Sequence, residues 1–212
     1  MTGQYVIAHD VGTGGSKAVL VDTRARVLGS TFEPYPVHYP RSDWAEQEPE
    51  DWWRAVTRST RQLLEKYNVR PKDVLCTTFT TQMLGILPMD EEGQCLQRAI
   101  IWLDARAGQQ AERAMRRLVH PSVFAVIAGA RLSGKDWIPK LWWLRENAPE
   151  LYAQIAKILD VNGYLLYRAT GEMVIDWTAA SVTGMFDLSK KTWDHLIIKL
   201  FDLPLELSLI HI

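Results

Sequence analysis

Short hydrophobic segments alternate with polar turns in the first part of the chain. Residues 5–9, 16–22 and 27–32 are rich in β-branched and aromatic side chains, and Gly-rich or polar turns separate them. This pattern predicts three consecutive strands in an antiparallel meander. Similar segments predict further strands at residues 74–80, 85–89 and 99–103.

Helical periodicity begins at Pro49. Apolar or small side chains then recur at helical spacing, namely Trp53, Val56, Thr60, Leu63, Leu64 and Tyr67. Pro49 and the acidic residues after it suit a first helical turn. A second helix is predicted over residues 106–118 with Asp104 as its N-cap, and a third from Pro139 to before Pro149.

The order of these elements predicts the fold class. A strand meander followed by alternating helices and strands is typical of an α/β domain with a mixed central sheet flanked by helices. No internal repeat, low-complexity tract or Pro/Ser-rich linker interrupts the sequence. We therefore expect no domain boundary inside this part of the chain.

Composition narrows the possible partners and location. Hydrophobic residues make up 47% and charged residues 23% of the 212 positions, so the chain has enough apolar side chains for a folded core. With 24 basic and 25 acidic residues it has no basic patch for nucleic acid or an anionic membrane. There is no leader-like N-terminus or long apolar segment, and the two cysteines lack metal-ligand spacing. We expect a cytoplasmic protein that binds neither nucleic acid nor a membrane.

The turn from Asp10 to Lys17 carries the clearest candidate chemistry. Its three glycines, Gly12, Gly14 and Gly15, permit close backbone approach, so N–H groups and the Thr13 hydroxyl could contact phosphate oxygens. Lys17 would add positive charge, and Asp10 could hold Mg²⁺ directly or through water. Taken alone, the same residues fit an ordinary Gly-rich β-hairpin equally well.

Two better-known nucleotide motifs do not fit. A dinucleotide fingerprint needs a glycine at the position of Lys17 and a following helix, whereas residues 18–21 are strand-like. Residues 129–135 match the first part of a P-loop, but Asp136 stands where the metal-binding hydroxyl belongs. We therefore interpret the second segment as a loop that connects to the Pro139 helix.

Five motifs in order resemble one family. The first is the Asp10–Lys17 turn, and four further stretches follow it: residues 80–85 (TTQMLG), 101–106 (IWLDAR), 139–144 (PKLWWL), and 170–172 (TGE) with Asp176 and residues 180–181. Together these stretches resemble the FGGY carbohydrate kinases, which belong to the sugar kinase, actin and Hsp70 superfamily. The resemblance extends over residues ~5 to 206 and is specific because the motifs occur together in order.

The resemblance implies a ribonuclease H-like domain that binds ATP, Mg²⁺ and a sugar. Asp10 would assist Mg²⁺, and the ATP phosphates would contact Gly12, Thr13, Gly14 and Lys17. The sugar pocket would be lined by Gln82, Met83, Leu84, Trp102 and Asp104, with Arg106 buttressing the last loop. The reaction would transfer the γ-phosphoryl group of ATP to a hydroxyl of a ketose or polyol. Relatives often dimerise, so a homodimer is also implied.

Structural alternatives remain for several of these residues. In these alternatives Trp102 belongs to the core, Met83 and Leu84 are ordinary packing residues, and Gln82 satisfies a loop carbonyl. Asp160 and Asp176 fit turns better than catalysis. Xylulose-type kinases commonly have Gln-Met-His-Gly where this chain has residues 82–85 with Leu84, which weakens a specific xylulose assignment.

The resemblance also sets expectations for domain organisation. Residues 1–206 would form the N-terminal sugar-binding and phosphate-binding domain, whereas the general-base Asp and the adenosine-binding domain would lie beyond it. We therefore expect this chain alone to be inactive. Residues 207–212 (LSLIHI) match the translation of a transposon-end sequencing adapter, which predicts a non-native tail. An actin- or Hsp70-like ATPase and a sugar-binding relative without catalysis are the alternative functions.

Overall fold

The computed structural model describes residues 4–117, 131–204 and 210–211. They divide into two compact units, although the sequence indicates no boundary. Unit 1 comprises Met1–Val37 and Glu48–Gln82, and unit 2 comprises His38–Gln47 and Met83–Ile212. The chain enters unit 2 for only ten residues before it returns to unit 1, so no linker separates the two in sequence.

Six of the twelve strands in the described residues lie in the predicted segments, and the other six were not predicted. They are β1 (Tyr5–Val11), β2 (Gly15–Asp22), β3 (Val27–Pro34), β4 (Glu46–Gln47), β5 (Val74–Thr81), β6 (Leu87–Met89), β7 (Ala99–Ile100), β8 (Lys157–Leu159), β9 (Val174–Ile175), β10 (Phe186–Asp187), β11 (Thr192–Trp193) and β12 (Ile210–His211). The predicted strand at residues 99–103 ends at Ile100, and the one at 85–89 begins at Leu87.

Three of the seven α-helices in the described residues lie where the sequence predicts them, and the other four were not predicted. They are α1 (Pro49–Lys66), α2 (Gly108–Arg117), α3 (Trp137–Asn147), α4 (Pro149–Tyr152), α5 (Val161–Thr170), α6 (Trp177–Val182) and α7 (His195–Leu200), with a 3-10 turn at Pro71–Asp73. Residue 118, the predicted end of the second helix, lies outside the described residues. None of the described helices is long and apolar enough to cross a membrane.

A mixed four-stranded sheet organises unit 1. Its strand order is β3-β2-β1-β5, in which the first three strands are antiparallel and β5 runs parallel to β1. This arrangement confirms the predicted meander and mixed sheet. Helix α1 supplies the connection between β3 and the parallel strand, and it packs on the sheet beside β2 and β3.

The buried face of helix α1 shares Val56 and Leu63 with the predicted face, but it contains Trp52 in place of Trp53. Trp52 is fully buried, whereas Trp53 is only partly buried. Residues Trp52, Val56, Ser59 and Leu63 repeat at helical spacing and lie against the sheet. The prediction of Trp53 on this face was wrong. Either of the two adjacent tryptophans continues a helical series of apolar residues, and the sequence does not show which of them packs against the sheet.

Unit 2 contains short strand pairs and helices. Strand β4 pairs antiparallel with β7, β6 pairs antiparallel with β8, and β9 pairs in parallel with β12. Helix α3 is buried on most of its surface, as expected for a central helix rather than an amphipathic surface helix. Asp160 and Asp176 cap the N-termini of α5 and α6 through backbone N–H groups. Both carboxylates thus have a structural role at the start of a helix, where the sequence analysis expects turn residues.

A buried histidine lies between β1 and α1. His9 is 1% exposed, its Nε2 lies 3.1 Å from the Thr60 hydroxyl, and its ring lies 5.7 Å from the Phe79 ring. Burial lowers the pKa of His9 to about 4, because desolvation disfavours the imidazolium ion. His9 is therefore neutral in the native protein at physiological pH.

This pKa predicts a loss of stability on acidification. The unfolded chain takes up a proton at His9 near pH 6.5 and the folded chain only near pH 4, so unfolding is favoured as the pH falls between these values. The loss amounts to at most roughly 3 kcal/mol. Urea unfolding at pH 7.5, 6, 5 and 4 should show a shallower decline for His9→Leu than for the wild type. The exposed-histidine control His195→Asn should match the wild type, and parallel declines for wild type and His9→Leu would contradict the assignment.

Candidate functional site

The turn between β1 and β2 forms the first part of the candidate site. Its ends are closed by a backbone hydrogen bond from the Gly12 N–H to the Gly15 carbonyl at 3.0 Å. Gly15 allows β3 to approach, because a β-carbon there would overlap Cζ of Phe32 and lie 2.7 Å from the Glu33 carbonyl oxygen. Gly15 is therefore required by packing inside unit 1.

The packing around Gly12 and Gly14 is different. A β-carbon at Gly12 would make only an ordinary contact at 3.7 Å, and one at Gly14 would have nothing within 4 Å. Neither glycine has a left-handed backbone. The fold of unit 1 does not require glycine at either position, whereas close approach of a ligand to the backbone would explain both.

A row of exposed polar side chains lies beside this turn. Asp10 of β1 pairs with Lys17 of β2 on one side and with Thr80 of β5 on the other. Cross-strand partners point to the same face of a sheet, and all three residues are exposed. Among the described residues, neither Asp10 nor Lys17 has an ion-pair partner within 4 Å. The sequence analysis missed Thr80, whose position depends on the parallel register of β5.

Two residues support the turn from within unit 1. The Tyr35 hydroxyl donates to the Gly12 carbonyl at 2.5 Å, and burial together with the Asp10 carboxylate raises the pKa of Tyr35, which keeps it protonated. Gln82 lies on the other side, where its amide donates to the same carbonyl at 3.4 Å and its oxygen accepts from Thr13 at 3.4 Å. Gln82 satisfies a loop carbonyl, as the structural alternative expects, and Tyr35 is a contact that the sequence analysis missed.

The residues at the turn fit a phosphate-bound Mg²⁺ better than a dedicated metal site. Within the described part of the chain, no group of three His, Cys, Asp or Glu side chains is arranged to hold a metal ion. Mg²⁺ commonly binds through one or two carboxylates together with phosphate oxygens and waters. The single exposed carboxylate of Asp10, next to an open Gly-rich turn, is compatible with that kind of coordination.

In unit 2, a buried carboxylate joins two segments of the chain. Asp104 is fully buried, and its Oδ2 accepts from the Ala45 N–H at 2.7 Å. Its other oxygen accepts from the Arg106 N–H at 3.0 Å. The predicted N-cap role of Asp104 was wrong, because α2 begins only at Gly108 and the carboxylate is used by Ala45 and Arg106. Both oxygens have protein partners, so Asp104 positions the loop in this structure.

Arg106 neutralises this carboxylate inside an aromatic enclosure. Its guanidinium bonds Asp104 and Glu46, each at 2.7 Å, while its side chain is 2% exposed. The Trp44 ring lies 3.8 Å from the guanidinium carbon, and the Trp143 ring lies 5.0 Å from it. A cation over aromatic faces is stabilised further when it is desolvated. Arg106 thus buttresses the loop, as the sequence analysis expects, and does not reach solvent.

Exposed apolar side chains flank this buttressed loop. Trp102 is 37% exposed and Met83 is 51% exposed, so neither residue is fully part of the core. Ile86 and Ile100 form an antiparallel bridge, which brings the segment that contains Met83 next to the segment that contains Trp102. Such half-exposed apolar groups beside polar backbone are typical of small-molecule sites.

Leu84 has an unusual backbone. Its φ angle is +60°, a left-handed conformation that is rare for residues other than glycine, asparagine, aspartate or histidine. A branched apolar residue in this region carries a cost of order 1–3 kcal/mol, and such residues persist where surrounding contacts fix the backbone. The Leu84 side chain is half-buried, and its carbonyl accepts from the Lys140 ammonium at 2.9 Å.

The P-loop-like segment is a connection before α3. Gly129 and Ala130 lie outside the described residues. The Asp136 carboxylate accepts from the Ser133 N–H at 2.6 Å, directly before α3. A β-carbon at Gly134 would lie 2.7 Å from the Ala105 carbonyl oxygen, so this glycine serves packing. The described part of the segment supports the connecting-loop interpretation.

The comparisons with known proteins identify the family. Residues 5–211 match the N-terminal domain of the FGGY family of carbohydrate kinases. The chain belongs to this family. Its fold is therefore the ribonuclease H-like fold of the actin-like ATPases and sugar kinases, as the sequence analysis expects, and the FGGY N-terminal domain spans both compact units.

Two groups of FGGY relatives are similar at the sequence level. The xylulose kinase of Escherichia coli is 32% identical over 197 residues, covering 93% of this chain and 40% of the relative. The glycerol kinase of Thermococcus gammatolerans is 30% identical over 213 residues, covering 95% of this chain and 41% of the relative. The chain thus spans about two fifths of the length of these curated relatives.

Solved structures of FGGY kinases share this architecture. A ligand-bound xylulose kinase and a gluconate kinase, both from Lactobacillus acidophilus, each superimpose with a TM-score of 0.90 at 25% identity. Each match covers 99% of this chain and 42% of the other protein. A glycerol kinase from Plasmodium falciparum with ADP gives a TM-score of 0.82 at 19% identity, covering 94% of this chain and 41% of that protein, which shows the fold alone.

The buried charge of Arg106 predicts a large difference between two arginines of unit 2. Arg106→Met should lower the free energy of unfolding by about 3–5 kcal/mol, because Asp104 is left buried without its cation. Arg113→Met, which removes the half-exposed partner of Glu146, should cost less than about 1 kcal/mol. Urea unfolding followed by circular dichroism measures both values. Similar losses for the two variants would show that burial of the Arg106 pair does not determine its contribution.

Proposed function

We propose that the chain is the N-terminal, sugar-binding and phosphate-binding part of an ATP-dependent kinase. The enzyme would transfer the γ-phosphoryl group of ATP to a hydroxyl of a ketose or polyol, with a pentulose such as xylulose as the preferred candidate. The proposal depends on one observation above all, which is the open Gly-rich turn of a chain that belongs to the FGGY family.

The geometry of the turn supports a phosphate-binding role. Gly12 and Gly14 leave the backbone accessible, and Lys17 presents a cation on the same row of the sheet as Asp10. Backbone N–H groups, a hydroxyl and an ammonium are the donors that phosphate oxygens require. Asp10 would hold Mg²⁺, which when bound neutralises charge on the phosphate oxygens.

The second part of the proposal concerns the sugar. Met83 and Trp102 would provide the apolar surface, and the backbone around Leu84 would provide hydrogen bonds. Asp104 with Arg106 would fix the loop that carries Trp102. Phosphoryl transfer depends mostly on positioning and charge neutralisation, which these residues would supply. The group that accepts the proton from the sugar hydroxyl is expected in the C-terminal part of the enzyme, so we propose that the 212-residue chain alone does not turn over.

The family supports a kinase over the alternative ATPases. Relatives at 30–32% identity are named as xylulose and glycerol kinases, which phosphorylate a ketose and a polyol respectively. This naming favours small-molecule phosphorylation over filament assembly or a chaperone cycle. A sugar-binding relative without catalysis would differ from the proposed enzyme in ADP formation. It would bind the sugar, but it would form no ADP when the sugar is present.

Lys17 provides the direct test of the proposed function. The protein translated from the complete reading frame should form ADP in the presence of D-xylulose, D-ribulose, D-gluconate or glycerol. Lys17→Ala should raise the KM for ATP by about 10- to 100-fold, because the phosphates lose a cation, and should leave the KM for the sugar within about twofold. The matched control is Arg24→Ala, an exposed cation of unit 1 beyond the end of β2.

Two results would contradict the kinase proposal. One is a wild-type protein that forms no ADP with any sugar of the panel although it folds. The other is a Lys17→Ala variant whose KM for ATP equals that of Arg24→Ala. That result would show that the turn does not contact the nucleotide.

Leu84 provides a test of sugar preference. Xylulose-type kinases commonly have histidine at this position, and histidine tolerates the left-handed backbone of Leu84 better than leucine does. Leu84→His should lower the KM for D-xylulose about tenfold, which corresponds to one hydrogen bond of about 1.4 kcal/mol, and should change the KM for glycerol little. The control is Leu188→His, an exposed leucine of the same unit. Equal changes of the KM for D-xylulose and the KM for glycerol would exclude a direct contact at this position.

A further inference from the structure

Lys140 is a buried cation without an assigned role in the site. It lies on α3, is fully buried, and is one of the largest fully buried side chains among the described residues. Its Nζ donates to the Leu84 carbonyl at 2.9 Å and to the Ile101 carbonyl at 3.0 Å. A lysine so deeply buried is rare unless its polar end is bound.

The two carbonyls belong to the two segments that carry the exposed apolar side chains. Leu84 directly follows Met83, and Ile101 directly precedes Trp102. The bridge between Ile86 and Ile100 pairs these segments further along, but Ile101 already donates its own N–H to the Ala45 carbonyl. Beyond the bridge, the Lys140 ammonium connects the two backbones to each other.

The connection also explains how the backbone of Leu84 is maintained. A left-handed leucine needs outside contacts that compensate for its steric cost. The hydrogen bond from Lys140 fixes the direction of the Leu84 carbonyl, which depends on the φ and ψ angles of the chain around it. A shorter or apolar side chain at position 140 would remove this constraint and leave two carbonyls without their donor.

We propose that Lys140 is a positioning residue of the sugar site, whose buried amine sets the spacing between the Leu84 and Ile101 backbones and thereby the placement of Met83 and Trp102. The part that concerns sugar binding rests on the proposed function. The backbone connection itself does not, since it follows from distances within unit 2.

The charge state of Lys140 is compatible with this role. Burial lowers the pKa of Lys140 to about 7, since desolvation disfavours the ammonium. The Asp104 and Asp136 carboxylates act in the opposite direction, and the Arg106 and Lys135 cations lower the pKa further. A neutral amine has two N–H groups, which is the number that the two carbonyls accept. The connection is therefore available on both sides of neutral pH.

The first experiment needs no substitution and no ligand. In the 212-residue chain labelled with ¹³C and ¹⁵N, a pH titration should move the carbonyl resonances of Leu84 and Ile101 with the same midpoint as the Lys140 Cε resonance. Carbonyls of unit 1, such as that of Val19, should not follow this midpoint. If Lys140 Cε titrates and neither carbonyl follows it, the proposed connection is wrong.

The second experiment tests the consequence for the sugar. In the complete enzyme, Lys140→Met should raise the KM for the sugar about 10- to 100-fold and leave the KM for ATP within about twofold, whereas partial unfolding would lower kcat and leave both KM values unchanged. Lys199→Met, an exposed lysine of unit 2, serves as the control. Lys140→Arg retains donors for both carbonyls and should recover part of the sugar affinity.

The outcomes separate the two proposals. Coincident carbonyl titration with an unchanged sugar KM in Lys140→Met would overturn the positioning role and leave the kinase proposal intact. Absence of any sugar-dependent ADP formation by the wild type would overturn the proposed function, while the titration would still decide whether Lys140 connects the two backbones. If Lys140→Met does not fold, the sugar KM of Lys140→Arg decides. A value above that of the wild type with an unchanged KM for ATP supports the positioning role, and a value equal to that of the wild type overturns it.

Discussion

The architecture of unit 2 depends on the need to neutralise the Arg106 guanidinium in a place that water does not reach. Asp104 and Glu46 supply the negative charge, and Trp44 supplies an aromatic face. Trp44 and Glu46 lie in the ten-residue segment 38–47 of unit 2, and Asp104 lies in the loop after β7. The two segments must therefore lie side by side before the Arg106 charge is neutralised. A buried ion pair adds little net stability compared with apolar packing, but it strongly penalises any arrangement that separates its members. The Arg106 ion pair therefore selects one arrangement of these segments more than it contributes to the free energy of folding.

In unit 1 the main feature is an open, Gly-rich turn rather than a buried ion pair. The candidate site of this unit combines the backbone of the Gly-rich turn with the side chains of Asp10 and Lys17, and neighbouring residues keep that backbone open. Gly15 is fixed by the approach of β3, and Tyr35 holds the Gly12 carbonyl from below, whereas Gly14 has free space around it. A turn whose shape is determined by its neighbours, and whose exposed positions carry no side chain, loses little entropy when an anion binds. Preorganisation of this kind matters for phosphoryl transfer because the reaction depends so largely on positioning.

Much of this structure could be predicted from local pattern, and the failures share a cause. The meander, α1 and the turn at Asp10 depend on residues close in sequence, and they were predicted correctly. The buried face of α1, the role of Asp104 and the contribution of Thr80 depend on partners far away in the sequence, such as Ala45 for Asp104 and Asp10 for Thr80. Periodicity contains no information about these partners. Lys140 was the hardest case, because a lysine in an apolar helix has the same sequence signature whether it reaches solvent or binds two distant carbonyls. Family motifs identified its segment without indicating its contacts.

The left-handed backbone at Leu84 limits which residues can replace this leucine during evolution. A side chain at this position projects from a backbone that is held through its carbonyl, by a residue on another element. Replacement of the side chain then alters what the site contacts while the path of the chain is retained. Residues that accept positive φ, such as histidine, asparagine and glycine, are the accessible alternatives. In the proposed sugar site, substrate preference and loop architecture would then be separate variables, and a small set of single substitutions would change the sugars that one scaffold accepts.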